Sequence, residues 1–580
     1  MHFPGQGQQT PQNQTLFQTF EWHTKSDKPS HNESHSPGSH YARLARLTPS
    51  LAGLGLTMFW LPPGCKANEP SGNGNGYDHY DYWDLGEFDQ KCRRNTKWGS
   101  KEELGDLVRQ LKGNGVEGIW DAVLNHKTAG DTTMECWAVE VDGEDRRVET
   151  SAPKKITPWI VYNHDNRNGA YSPMKWRAEH FSGTDWDQRA EKHAIYKIID
   201  DPANFPKPGQ EHPDLFKKGM HRISRFLSGK KSDTKSTIAM KRPGKDWAED
   251  VDDLHGNADY LMFSDIDHKH PAVREDLFRW ADWMIQENGL DGFRLDAAAH
   301  FSYGFARDWI ARAHEASRAK RGRDAFIVGE VWTGKVAKIT RWLDTVGQGA
   351  YAYDAPLVSD FSRVSKDVVA GSPNADLRTI MRSSLLKERP QSAVTLVTNH
   401  DTQPGQAAAT PIDVRLKSLF YAFILLRAEG LPCVFWGDMY GTRGKQASPP
   451  ACLTSGNRSL LPDLVFARRM FAYGQQTDYF DAQSVVGWTR AGTHDRPGCA
   501  VVLSVGPYNK WSTKKMQVGR PGEIWVDVLS DPRQRVEVQI DQTGSAGFHC
   551  LGWSPAVYVR KDVPGVERFP VQFSLDVYQQ

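Results

Sequence analysis

Short apolar runs rich in β-branched and aromatic residues recur along this chain, and amphipathic segments lie between several of them. The clearest runs cover residues 15–20, 56–61, 116–124, 289–295, 326–331, 393–398 and 432–436. Helical patterns occupy residues 101–112, 271–287 and 303–319. Runs this short read as buried strands, and strands alternating with helices imply parallel crossover connections. The pattern predicts an α/β parallel sheet, and eight such units would close a (β/α)8 TIM barrel.

The rhythm breaks twice. Residues 126–258 are polar, rich in Trp, Asp and Lys, and lack regular alternation, which predicts a domain inserted after the third strand. Within it, residues 207–245 hold 8 Lys and 3 Arg against 3 acids. Such a charge run reads first as a solvated excursion. After residue 476 short alternating stretches (484–489, 499–505, 524–528, 556–559) predict an antiparallel β domain. The expected division is a Gln/Pro/Gly-rich N-terminus over 1–12, a barrel over 13–125 and 259–475, the insert over 126–258, the β domain over 476–562 and a tail over 563–580 that extends beyond the packed body.

Composition narrows the function. Lys plus Arg total 72 against 71 Asp plus Glu, for a net charge of +1. That balance argues against a general nucleic-acid binder, which carries a basic excess. The N-terminal stretch has no charged region followed by an apolar one, so no secretory signal is expected. The apolar runs are too short and interrupted for a bilayer span. Seven Cys, an odd number with no CxxC pair, fit a reducing compartment rather than a disulfide framework. A cytoplasmic monomer is the expectation. Twenty Trp is a high count; aromatic rings can stack on sugars, but more often they fill cores.

Three predicted strands end in acids, and in a parallel barrel the catalytic groups sit where strands give way to loops. Residues 292–296 (GFRLD) end in Asp296, 328–330 (VGE) in Glu330 and 395–401 (TLVTNHD) in Asp401. One such acid is usually an ion-pair or capping group. Three in one mouth, beside Arg294, His126 and His400, are costly without a task. Glycoside hydrolysis supplies one: an ionised carboxylate attacks the anomeric carbon while a protonated one donates to the leaving oxygen.

The stretches 121–127 (DAVLNHK), 292–300 (GFRLDAAAH), 328–332 (VGEVW) and 397–402 (VTNHDT) resemble, in order, the four signature regions of the alpha-amylase family of glycoside hydrolases. Residues 76–90 (GYDHYDYWDLGEFDQ), 180–187 (HFSGTDWD), 259–267 (DYLMFSDID), 437–442 (GDMYGT) and 486–490 (VGWTR) are similar to the liquefying, bacterial-type members in particular. The resemblance spans roughly residues 13–562. It implies Asp296 as nucleophile, Glu330 as general acid/base and Asp401 as a stabiliser of the oxocarbenium-like transition state. Arg294, two residues before Asp296 on the same strand face, would keep the nucleophile ionised. His126 and His400 would hydrogen-bond the sugar, Tyr77 would stack beneath it, and Trp22 is counted with them as a substrate-binding position.

The resemblance also implies one structural Ca2+, held by Asn125, Asp259, Asp265 and the backbone carbonyl of His300, all hard oxygen donors of the type calcium takes. Bacterial relatives often add further metals through carboxylates. Here Pro173, Lys269 and the segment around Ala248 stand where those acids are expected, so a single calcium and no metal triad is predicted. Ala299 departs from the family as well, replacing a Lys that contacts sugar on the reducing-end side of the cleavage point.

The leading reading is therefore an endo-acting, retaining alpha-amylase on α-1,4-glucans such as starch, glycogen and maltooligosaccharides. A 4-alpha-glucanotransferase would use the same three acids and pass the glycosyl unit to a sugar. A non-catalytic glucan-binding protein is the third reading, and the intact acids speak against it.

Overall fold

Eight parallel strands close on themselves in the computed structural model, which describes residues 10–25, 38–68, 75–204, 244–454, 456 and 458–577. In chain order the strands are Leu16–Gln18, Met58–Leu61, Glu117–Ala122, Gly292–Leu295, Phe326–Gly329, Ala350–Tyr353, Ala393–Leu396 and Leu431–Phe435. Each pairs in parallel with its neighbours, and Leu16–Gln18 closes the ring by pairing with both Met58–Leu61 and Leu431–Phe435. Seven of the eight coincide with apolar runs read from the sequence. The sixth, Ala350–Tyr353 (AYAY), was not among them; two alanines and no β-branched residue leave it with a weak strand signal.

Helices form the outer layer for local reasons. Lys101–Gly113 starts at a capping box in which Ser100 accepts from the Glu103 N–H and Glu103 reaches back to the Ser100 N–H. Its Leu104, Leu107, Val108 and Leu111 share one buried face. Pro271–Gln286 places its proline in the first turn, where no N–H is required. Tyr303–Arg321 ends on Gly322 at φ +71°, a left-handed cap that glycine adopts freely. Nine of the twenty tryptophans are almost wholly buried, Trp60, Trp120, Trp280 and Trp342 among them. Much of the aromatic excess is thus core.

Between the third and fourth barrel strands lies a six-stranded sheet, in the order His126–Lys127, Ser264–Ile266, Phe181–Asp187, Lys192–Ile198, Cys136–Glu140, Lys154–Ile156. Ser264–Ile266 belongs to this sheet, so it reaches beyond residue 258. Of the Lys-rich stretch 207–245, only 244 and 245 fall within the described residues. The Lys245 ammonium donates to Asp267 Oδ2 at 2.9 Å and to the Glu179 carbonyl at 2.6 Å.

The C-terminal part is a six-stranded sheet with a separate two-stranded antiparallel sheet, Trp511–Gln517 against Ser545–Leu551. Residues 563–577 do not extend away from it. Phe569 is buried against Phe466 and Phe471, with ring centroids 5.3 and 5.8 Å apart. The Val571 N–H donates to Asp463 at 2.7 Å. An apolar residue every few positions gives this stretch enough surface to bury, which corrects the expected free tail. All seven cysteines are free thiols. No described helix is long and apolar enough to cross a membrane.

Candidate active site

Asp296 and Glu330 each follow directly on a barrel strand, and Asp401 lies five residues past the end of Ala393–Leu396. The barrel thus brings the three acids to one end, where loop backbone is free to vary. Arg294 points inward from Gly292–Leu295 and is fully buried. Its Nη1 donates to Asp296 Oδ1 at 2.6 Å and to Asp121 Oδ1 at 2.8 Å. Its Nη2 lies 2.7 Å from Glu330 Oε2. Glu330 Oε2 also accepts from the Ala297 N–H at 3.0 Å. Ala297 has φ +48°, an uncommon conformation for a residue with a Cβ. That turn aims its N–H at Glu330 directly after Asp296.

Asp121 had no role in the sequence reading, although it opens the DAVLNHK stretch. It accepts from Trp60 Nε1 at 2.9 Å and Tyr77 Oη at 2.8 Å through its second oxygen. The available signal was an acid inside a strand whose surroundings are otherwise core. Asp121 thereby fixes Arg294 and Tyr77 at once. Gly76, at φ +94°, presses against the Pro63 carbonyl where a Cβ would collide, and this sets the backbone entry to Tyr77.

The charge distribution is lopsided. Burial works against the Arg294 guanidinium, but Asp121, Glu330 and Asp296 outweigh it and hold it protonated. Burial pushes the Asp296 carboxyl well above the usual range, opposed by Arg294 and reinforced by Glu330, Asp121 and Asp401. Burial likewise raises Asp121 and Asp401. One guanidinium shared by three touching carboxylates leaves the cluster short of positive charge, so it retains a proton readily.

Trp22, Tyr77 and His400 present nearly parallel rings. Tyr77 and His400 lie 5.2 Å apart at 3°, and Trp22 and Tyr77 6.1 Å apart at 4°. Trp22 is held by its N–H to Gln403 and its carbonyl to Asn75. Gln18 Nε2 donates to His400 Nδ1 at 2.8 Å, leaving the Nε2 proton toward Asp401 Oδ2, 3.2 Å away. Burial holds His400 down to about 3 and His126 to about 4, so both are neutral donors at ordinary pH. His126 spends Nε2 on the Tyr77 carbonyl at 2.8 Å, so it anchors Tyr77's backbone. A cavity of about 450 Å³ opens beside Glu330 and Asp401, with Trp22, Trp332, Ala299 and Lys338 in its wall.

A second cluster sits where barrel and insert join. Asn125 Oδ1 is buried without a hydrogen-bond donor. Asp265 Oδ1 lies 3.4 Å from Asn125 Nδ2, and Asp265 also accepts from Ser182. Asp259 accepts from the Ala248 N–H at 2.7 Å. Burial raises Asp259 to about 7, and burial together with Asp259 raises Asp265 well above the usual range. The His300 ring contacts the Ala258 carbonyl at 2.8 Å and belongs to the same junction. Among the described residues no three His, Cys, Asp or Glu side chains converge as a metal cluster. Two acids with an orphaned amide oxygen nevertheless form a donor set of the kind a hard cation completes. Lys269, expected to stand in place of a metal-binding acid, donates to the Asp246 and Trp247 carbonyls at 2.6 and 3.1 Å.

The family model for the alpha amylase catalytic domain matches residues 47–233 and 228–459. The chain is 35% identical to an alpha-amylase from Bacillus licheniformis, over 95% of this chain and 94% of that one. It is 32% identical to the cytoplasmic alpha-amylase of Escherichia coli (strain K12), over 95% and 99% respectively. Among solved structures, an alpha-amylase from Geobacillus thermoleovorans shares the fold with a TM-score of 0.56 at 14% identity, covering 95% of this chain and 99% of that one.

Proposed function

The chain belongs to the alpha-amylase family, and from that premise we propose that it is an alpha-amylase that cleaves internal α-1,4-glucosidic bonds with retention of configuration. The observation that carries this reading is the Arg294 guanidinium bridging Asp296 and Glu330 at 2.6 and 2.7 Å. Two carboxyls on one guanidinium lie side by side, as suits the ~5–5.5 Å pair of a retaining enzyme rather than a wider pair spaced for water.

The roles follow from the contacts. Arg294 localises negative charge on Asp296, which attacks the anomeric carbon. Glu330 delivers a proton to the leaving oxygen, then accepts one from the incoming water. Asp401, with neutral His400 donating to it, binds sugar hydroxyls as positive charge develops on the ring. Tyr77 and Trp22 offer ring faces to the glucan. Asn125, Asp259, Asp265 and the His300 carbonyl would hold one Ca2+, which supplies the positive charge that the two buried carboxylates lack and clamps insert to barrel. A cytoplasmic setting is supported by the E. coli relative's description and by seven free thiols. The enzyme acts as a monomer on starch- or glycogen-type chains.

Incubation with maltoheptaose tests the reading. Shorter products alone, released first in the α-configuration, are expected. Products longer than seven units would mark a glucanotransferase, and untouched maltoheptaose a binding protein.

A further inference from the structure

The cavity beside Glu330 contains a charged arrangement that the catalytic roles leave unused. Lys338 lies in the helix Val336–Val346, which follows the Glu330 loop. Its ammonium is 2.7 Å from Asp252 Oδ1 and 2.5 Å from Asp253 Oδ1. The Asp252 N–H in turn donates to the Ala299 carbonyl at 3.2 Å. The ammonium therefore ties the helix after Glu330 to the end of the insert, and the Asp252 backbone ties that end to the turn after Asp296. Lys338 and Asp252 both line the cavity, together with Ala299, Trp332 and Glu330. Among the described residues of that wall, Lys338 is the one ammonium. It has three N–H donors, and its two acid partners leave one for a ligand.

Position decides which part of a glucan this wall meets. Glu330 gives its proton to the leaving oxygen, so the wall running on from Glu330 faces the departing segment of chain. Ala299 and Ala297 keep that wall low where a longer side chain would fill it. We propose that Lys338, held by Asp252 and Asp253, forms the subsite that grips the departing glucose units by donating to their hydroxyls. This rests on the hydrolase reading above. The ammonium reaches the cavity from the helix side, and Ala299 opposite it provides no donor of its own.

The test uses the full-length enzyme on maltoheptaose. Lys338→Met removes the ammonium with little change in length. It should raise KM roughly tenfold, the value of one charge-assisted hydrogen bond, and move the preferred cleavage position along the chain. A lysine introduced by Ala299→Lys enters the same cavity but cannot rebuild the tie to the helix. The double variant Lys338→Met/Ala299→Lys should regain most of the lost affinity. Ala299→Lys alone should tighten binding of long substrates, and an unchanged kcat/KM on both long and short ones would count against the subsite. If Lys338→Met cleaves with the wild-type KM and product pattern, the proposal is overturned. If its defect persists in the double variant, Lys338 only ties the wall together, and the proposal is again overturned. Wild-type enzyme that leaves maltoheptaose intact would instead remove the hydrolase reading, a result distinct from either.

Discussion

Replacing Glu330 by Gln isolates the proton from everything else that side chain does. The Glu330 carboxyl accepts from the Ala297 N–H at 3.0 Å and lies 2.7 Å from Arg294 Nη2. A Gln carbonyl oxygen can keep the first contact and accept from Arg294 in place of the second. Arg294 retains Asp121 and Asp296 as counter-charges, so the variant should fold with little loss of stability. What disappears is proton delivery to the leaving oxygen, worth roughly 10²–10⁴-fold, or about 2.7–5.5 kcal/mol of barrier. kcat/KM on maltoheptaose should fall by that factor. kcat/KM on a maltosyl fluoride, whose leaving group departs with far less help from an acid, should fall by no more than about tenfold, on the premise that an acid assists a good leaving group little. Because kcat/KM reports the first irreversible step, the later role of Glu330 as base does not obscure the comparison. Equal losses on the two substrates would refute the acid assignment, and so would wild-type rates on maltoheptaose.

Chelation of the proposed calcium should lower the melting temperature, since a ligand present at a hundredfold its Kd stabilises by about 2.7 kcal/mol; calorimetry with and without EDTA reads it, and Asp259→Asn should melt near the chelated value. Metal analysis of dialysed protein should return one calcium per chain; two or more tightly held ions would overturn the single-site reading. His40 is buried and held down to about 3, chiefly by burial and then by Arg43, so the unfolded chain takes up a proton near pH 6.5 that the folded chain refuses. Its stabilising contribution is whole above pH 6.5 and is lost toward pH 3. Relative to His40→Gln, the wild type should therefore lose up to about 1.4 kcal/mol per pH unit on acidification through that window, whereas a difference independent of pH would contradict the burial argument. Phe569→Ala should cost about 3–5 kcal/mol in urea unfolding because its ring is buried between Phe466 and Phe471; a neutral effect would mean the C-terminal stretch is not part of the packed body.

The barrel was legible wherever strands are dense in Val, Ile, Leu and aromatics, as in Phe326–Gly329 and Leu431–Phe435, because a strand buried on both faces must be apolar throughout. Ala350–Tyr353 escaped because its two tyrosines alternate with alanines and no β-branched residue backs them. The helix His40–Leu54 escaped as well; Thr48, Pro49 and Ser50 in its middle break its period. In the site, the acids at strand ends were legible because sequence position and topology coincide there. Their partners were not. Gln18 reaches His400 across 382 residues, and Asp121 reaches Arg294 across 173. Only closure of the ring brings such pairs together, and no local pattern encodes it.

Asp121 also sharpens why this barrel mouth is arranged for chemistry and not for stability. If Arg294 only had to be neutralised, Asp296 or Glu330 would suffice, and every further buried carboxylate adds desolvation cost. Asp121 takes the Trp60 and Tyr77 donors with one oxygen and Arg294 with the other. Burial raises its carboxyl, Arg294 and Tyr77 oppose that rise, and the same contacts hold the guanidinium still. Asp296 and Glu330 share that same guanidinium, so three carboxyls divide a single positive charge. Under that shortage the form with one ionised and one protonated partner is favoured over two charges. This is the protonation state that nucleophilic attack and proton donation require together. A stable scaffold would remove the shortage by replacing one acid with an apolar residue, and this chain instead keeps all three in contact with Arg294.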